Sequence, residues 1–262
     1  MAFLQLWGCH AYFLIYRKKV SICAIIAAAG CGKRMGSSIH KQFLQIENKP
    51  ILVHTLEKFR QSTLIDSIII VVPKDWYRYV LENIVDKFRI SKVNKIVIGG
   101  ATRQESVHKA LKAVSEDIST VVIHDAVRPL ISLNLLNKVI LKGKETGAAV
   151  LAVPIHESIK KVSDNQIEQS LERDSIWLVQ TPQVFKKDLI FHAYQQAFFN
   201  SITATDDSEL VEFLGYPIHV VEGSRSNIKI TTKEDLDLAK FLIRKSHKVR
   251  GEVPPEIDKF EL

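Results

Sequence analysis

The residues best placed to do chemistry are Ala28, Ala29, Gly30 and Gly32, with the cations that follow them, Lys33, Arg34 and Lys41. Small residues let a backbone approach a ligand closely and present its N–H groups. Neighbouring cations suit a polyanion such as a triphosphate. The loop follows an apolar run, Ser21 to Ala27, and a strand ending in such a loop is where open α/β sheets bind nucleotides. Spacing excludes two familiar phosphate loops. A P-loop requires G-x-x-x-x-G-K-[ST], but Gly32-Lys33 follows Gly30 too soon and Arg34 replaces the hydroxyl residue. A dinucleotide fingerprint requires G-x-G-x-x-G, but Met35 takes the place of the third glycine. That argues against a dehydrogenase. Cys31 lies in the loop with no His or Asn placed by sequence to activate it, so it reads as filler. The plain alternative is a glycine-rich turn with solvated lysines.

Three further segments could complete a site. His124-Asp125-Ala126-Val127-Arg128-Pro129 follows a strand, and the carboxyl ends of strands face the ligand crevice in an open parallel sheet. A carboxylate there suits a divalent cation or a substrate hydroxyl, and an arginine suits a phosphate. A local Asp–Arg pair is the plain alternative, and His124 reads as an oriented turn histidine rather than a base. Gly99-Gly100-Ala101-Thr102-Arg103 leads from a strand into a helix start, which suits an anion or a nucleobase edge. Lys229, in Asn227-Ile228-Lys229-Ile230-Thr231, gains weight only if its strand end faces the same crevice.

The elements that must position these residues alternate. Short apolar runs at Ile22–Ala27, Ser67–Val72, Lys95–Ile98, Thr120–His124, Ala148–Val153 and Ile218–Val221 read as strands buried on both faces. Between them, apolar spacing of three and four predicts helices over Ile51–Arg60, Asp75–Phe88, Arg103–Val114 and Leu133–Thr146. Thr231-Thr232-Lys233-Glu234 resembles a capping box opening a helix to about Arg244. The alternation predicts an α/β fold with a doubly wound, mostly parallel sheet. Residues about 155–180 break the rhythm. Ser158 to Val162, a turn at Asp164-Asn165-Gln166, and Ile167 to Leu171 read as a hairpin. A projecting β-arm cannot bury itself alone, which predicts dimerisation through it.

Composition narrows the class. The chain has 262 residues, enough for one large α/β domain, with 46% apolar and 25% charged residues. Its three cysteines, Cys9, Cys23 and Cys31, have no metal-ligand spacing and favour a reducing cytoplasm over a disulfide scaffold. A net charge of +7 fits an anionic small substrate, and no basic stripe interleaved with aromatics points to nucleic acid. Phe3 to Tyr16 is too short to span a membrane, and its cations follow the apolar stretch rather than precede it as in a signal peptide. The expected organisation is an extension over 1–20, one domain over 21–246 and a loose tail over 247–262.

Taken in order, AAAGCGKRMG, HKQFL, GGATRQESV, HDAVRP, PIHESIKKV, ERDSIWLVQTPQVF, TDDSELVE and EGSRSNIKITTKEDL resemble the 2-C-methyl-D-erythritol 4-phosphate cytidylyltransferases, from about Ser21 to Arg244. The resemblance implies a Rossmann-like nucleotidyltransferase fold. It implies transfer of a cytidylyl group from CTP to methylerythritol phosphate in non-mevalonate isoprenoid synthesis, with Mg²⁺, in a cytoplasmic homodimer. A ribitol 5-phosphate cytidylyltransferase shares the loop and HDAVRP and is the alternative. By the same resemblance, Ala28, Ala29, Gly30, Gly32, Gly100, Ala101, Ser106 and Ala126 surround CTP. Arg34 and Lys41 neutralise the reacting phosphates, and Asp125 lies near metal and substrate. Arg128, Ser158, Thr181, Lys229 and Arg173 position the polyol phosphate, with Arg173 and Lys229 close to the chemistry and Arg173 acting from the neighbouring subunit. Ala101 stands where the family commonly has aspartate.

Overall fold

A computed structural model describes residues 21–30 and 40–249. Its centre is strand β1 (Ser21–Ala27), which alternates Ile22, Ala24 and Ile26 to one face with Cys23 and Ile25 to the other. Both faces are apolar because both are covered. β1 pairs in parallel with β4 (Ser67–Val72) on one side and β6 (Ile118–Asp125) on the other, and β4 pairs with β5 (Val93–Ile98). β2 (Gln45–Ile46) and β3 (Lys49–Pro50) form a small separate ladder. Beyond β6 the sheet continues through β10 (Trp177–Lys186), β7 (Ala148–Pro154) and β11 (His219–Glu222). The chain moves outward from β1 to β4 and β5, then returns to β6 on the other side. The crevice between the ends of β1 and β6 is therefore a topological switch point.

Helices cover both faces. α1 (Ile51–Gln61) and α4 (Leu133–Thr146) pack Leu52, Leu56, Phe59, Leu136 and Ile140 against one. α3 (Arg103–Ala113), α5 (Lys187–Phe199) and α6 (Asp207–Phe213) pack Val107, Leu111, Ile190, Tyr194 and Leu210 against the other. α4 stops at Gly147, whose φ of 93° lies in the left-handed region that favours glycine.

Several details differ from the sequence reading. The helix anticipated over Asp75–Phe88 is a 3₁₀ turn at Lys74–Trp76, a short α2 (Tyr77–Val80) and a π-helical stretch, Leu81–Asp86. The box before α7 (Lys233–Val249) closes through Asp235 rather than Glu234. Thr232 Oγ1 accepts the Asp235 N–H, and the Asp235 carboxylate accepts the Thr231 and Thr232 N–H groups. β10 was hidden from the sequence reading. It runs antiparallel to both β6 and β7, and its ladder to β7 skips between Gln180 and Gln183, across Thr181-Pro182. Proline cannot donate to a ladder, and the buried polar residues Gln180, Thr181 and Gln183 erase the apolar pattern. α5 and α6 were not anticipated either. α5 buries Ile190, Ala193, Tyr194 and Ala197 on one face, but Phe198 and Phe199 lie exposed outside it and blur the apolar stripe.

The hairpin forms where the pattern placed it, as β8 (Ile159–Ser163) and β9 (Gln166–Leu171). Asp164 and Asn165 have φ of 47° and 62°, the two positive values that a two-residue type I′ turn requires. Val162, Ile167 and Leu178 leave apolar side chains exposed on this arm and at its base. Among the described residues, no helix is long and apolar enough to cross a membrane.

Candidate active site

A cleft of about 550 Å³ opens at the switch point. Ala28, Ala29 and Gly30 continue β1 as one wall, and Gly100, Ala101, Thr102, Arg103 and Ser106 form another before and along α3. Lys41, Asp125, Ala126 and Lys229 complete it. Ala27 and Asp125 are register partners at the ends of β1 and β6, so the glycine loop and the carboxylate leave the sheet side by side.

The loop is held by its carbonyls. Gln42 Nε2 donates to the oxygens of Ala28 and Gly30 at 2.6 and 3.1 Å, and His40 Nδ1 lies 3.2 Å from the Gly30 oxygen. HKQF therefore pins the loop through His40 and Gln42, while Lys41 Nζ donates to the Ile230 oxygen at 3.0 Å. A Cβ built on Gly30 meets nothing within 4 Å among the described residues. Packing among the described residues therefore does not demand that glycine. Gly99 differs: a Cβ there would stand 2.5 Å from Ala29 Cβ and 2.8 Å from Ser106 Oγ. Ser106 Oγ in turn accepts the Gly100 N–H at 3.0 Å and donates to the Thr102 oxygen.

Asp125 is buried and ringed by cations. Lys229 Nζ lies 2.8 Å from Oδ2, Arg103 Nε 3.3 Å from Oδ1, and Arg128 Nε 3.7 Å from Oδ2. Burial alone would raise its pKa. Arg103 and Lys229, then Arg128, overcome that and hold the carboxyl well below the usual range, so it stays ionised. His124 is no base. Its Nε2 faces the Arg128 carbonyl at 3.1 Å, and a carbonyl only accepts, so Nε2 carries the proton. Nδ1 then accepts from Thr181 Oγ1 at 3.0 Å, and Thr181 accepts the Asp125 N–H at 3.1 Å. Burial depresses the imidazole pKa to about 3, against the nearby Asp125 charge, so the ring is neutral. His124 lies within β6 beneath the site, not in the turn where the sequence reading put it.

The anticipated residues thus divide by place. Ala28, Ala29, Gly30, Lys41, Gly100, Ala101, Ser106, Asp125, Ala126 and Lys229 line one cleft. Thr181 is buried behind Asp125, and Arg128 Nη1 donates to the Asn227 oxygen at 2.8 Å. Asn227 is itself fully buried, its amide donating to Gln180 Oε1 and the Thr181 oxygen. Ser158 and Arg173 are exposed on the arm, away from the lining of the cleft in their own chain, with Arg173 Nη1 donating to the His156 oxygen. Gly32 and Arg34 lie outside the described residues. The sequence reading left Arg103, Thr102, His40, Gln42 and Asn227 without roles. All five stand inside the motifs HKQFL, GGATRQESV and EGSRSNIKITTKEDL, which is the signal the sequence offers.

Among the described residues no three His, Cys, Asp or Glu side chains gather to hold a metal. Asp125 alone fits a different kind of site. Mg²⁺ at nucleotide sites takes one or two carboxylates, and phosphate and water oxygens supply the rest.

Comparison with known proteins identifies the family and the fold. The family model for 2-C-methyl-D-erythritol 4-phosphate cytidylyltransferase (IspD) matches residues 22–245. A protein of that name from Syntrophus aciditrophicus is 45% identical over 228 residues, 87% of this chain and 97% of that protein. One from Alkaliphilus oremlandii is 43% identical, covering 84% and 94%. Among solved structures, the 4-diphosphocytidyl-2C-methyl-D-erythritol synthase of Anaerococcus prevotii superposes with a TM-score of 0.76 at 32% identity, covering 86% and 96%. The cytidylyltransferase of Thermus thermophilus gives 0.70 at 31% identity, covering 86% and 99%.

Proposed function

The chain belongs to the 2-C-methyl-D-erythritol 4-phosphate cytidylyltransferase family, and we propose a division of labour for that reaction among its residues. The enzyme is a nucleotidyltransferase: CTP and methylerythritol phosphate give 4-diphosphocytidyl-2-C-methyl-D-erythritol and pyrophosphate. The observation that carries the assignment of roles is a single buried carboxylate, Asp125, ringed by cations and sharing one cleft with Gly30, whose Cβ position is open among the described residues.

In this proposal the triphosphate lies along Ala28 to Gly30 and on to Gly32. The cytosine takes the side of Gly100, Ala101, Ser106 and Ala126. A polyol phosphate oxygen attacks the α-phosphorus in line as pyrophosphate leaves. The attacking phosphate is already ionised, so no strong base is required, and His124 has both nitrogens engaged. Arg34 and Lys41 neutralise charge that grows toward the transition state. Asp125 would hold Mg²⁺, whose chemistry is to neutralise phosphate charge. Lys229 and Arg128 orient the polyol phosphate, with Thr181 behind Asp125.

Ser158 and Arg173 reach that substrate from the arm of a second subunit in a homodimer. The apolar side chains exposed on the arm support such a contact. A buried free thiol at Cys23 and the use of CTP fit a cytoplasmic enzyme. A pyrophosphate-release assay crossing CTP, ATP and GTP with methylerythritol phosphate and ribitol 5-phosphate tests the reading. Turnover is expected with CTP and methylerythritol phosphate only, and equal or better turnover of ribitol 5-phosphate contradicts it.

A further inference from the structure

Arg103 is shared between two carboxylates, and the sharing is unequal. Its Nη1 and Nη2 donate to Asp207 Oδ1 and Oδ2 at 2.9 and 2.7 Å, the two-point fork that a guanidinium makes best. Its Nε reaches Asp125 Oδ1 at only 3.3 Å. Asp207 is completely buried at the start of α6, and the Tyr194 hydroxyl, fully buried on α5, donates to Asp207 Oδ1 at 2.5 Å. The arginine side chain remains 29% exposed and lines the cleft. A buried carboxylate with a dedicated tyrosine therefore holds an active-site arginine from behind.

An ion pair in this position is weak evidence for a stabilising role, because desolvation offsets much of its attraction. Its effect on Asp125 is more specific. Asp125 already carries Lys229 at 2.8 Å and Arg128 at 3.7 Å. Without Asp207, the only carboxylate among the described residues left within contact of the Arg103 guanidinium is Asp125. A small rotation would turn one long contact into a fork, and the carboxylate oxygens would be occupied by protein cations.

We propose that Asp207, fixed by Tyr194, is a positioning residue that draws Arg103 off Asp125 and so keeps that carboxylate available to the divalent cation accompanying CTP. This rests on the reading of Asp125 as the cation-binding carboxylate.

The test uses the full-length protein with α,β-methylene-CTP present and Mn²⁺ as the probe, the free ion being counted by electron paramagnetic resonance. Asp207→Asn keeps the shape and removes the charge. It is expected to weaken Mn²⁺ binding about tenfold, a coupling of ordinary size for groups in one network. The Mg²⁺ concentration for half-maximal pyrophosphate release should rise by a similar factor, with most of kcat recovered at saturating Mg²⁺. Tyr194→Phe should shift both in the same direction by less. Adding Arg103→Gln to Asp207→Asn should restore Mn²⁺ affinity, since the freed cation is gone; a merely structural role predicts a double variant worse than either single one. Folding of each variant is checked by circular dichroism, and if Asp207→Asn does not fold, Tyr194→Phe carries the test. Mn²⁺ affinity unchanged within about twofold in a folded variant overturns the charge-partner role, provided Asp125→Asn abolishes binding. If Asp125→Asn leaves Mn²⁺ binding intact, the proposal and the reading beneath it fall together.

Discussion

Gly30→Ala separates folding from catalysis. The added methyl meets no described atom within 4 Å, and the Gly30 backbone lies outside the left-handed region, so among the described residues alanine fits without strain. The hydrogen bonds that pin this residue use its carbonyl and are untouched by a Cβ. Replacing glycine at such a position stabilises by about 0.4–1 kcal/mol through the unfolded chain. For a protein of this size that raises Tm by roughly 1–4 °C. The same methyl projects where the proposal lays the triphosphate. A displacement of about 1 Å commonly costs on the order of 100-fold in rate. Pyrophosphate release at varied CTP should therefore show kcat/KM falling by about that factor in a protein that is slightly more stable. Gly99→Ala is the control. Its Cβ would strike Ala29 and Ser106 first, so it should lose about 1–3 kcal/mol of stability along with activity. A Gly30→Ala enzyme within about threefold of wild type would refute the claim that nucleotide lies against this backbone.

Two other outcomes follow from the site. The folded state rejects a proton at His124 until about pH 3, whereas the unfolded chain accepts one near pH 6.5. Its contribution to stability is thus full above about pH 6.5 and is lost as pH falls toward 3. His124→Gln should flatten the dependence of unfolding free energy on pH between 6 and 4 by up to about 1.4 kcal/mol per unit, and parallel curves would show that His124 does not titrate this way. If Arg173 serves the neighbouring subunit, mixing inactive Arg173→Ala and Lys41→Ala homodimers under subunit exchange should restore activity, because one site of the heterodimer carries neither lesion. No recovery, or an active monomer by light scattering, would return Arg173 to its own chain.

The parts of the site legible in the sequence are those built from consecutive residues. Ser21 to Gly30 announces a buried strand and a small-residue loop, and Asp164-Asn165 announces its turn, because each depends on neighbours along the chain. What was hidden depends on residues far apart. Arg103 and Asp207 are 104 positions apart, and no local pattern says that α3 and α6 meet. Tyr194 carries no local signal, since the partner of its hydroxyl, Asp207, lies on another helix. β10 was lost because its buried polar residues answer to His124, Asp125 and Asn227 rather than to an apolar core. Such side chains look like a loop until the strands beside them are known.

The central claim is that a phosphate oxygen of methylerythritol phosphate displaces pyrophosphate from CTP directly. It is tested most directly by ³¹P NMR of a reaction run with methylerythritol phosphate labelled with ¹⁸O on its phosphate. The account predicts a new diphosphate in which label appears in the bridge between the two phosphorus atoms, together with unlabelled pyrophosphate. Label in the pyrophosphate, or CTP consumed without a diphosphate product, would contradict it.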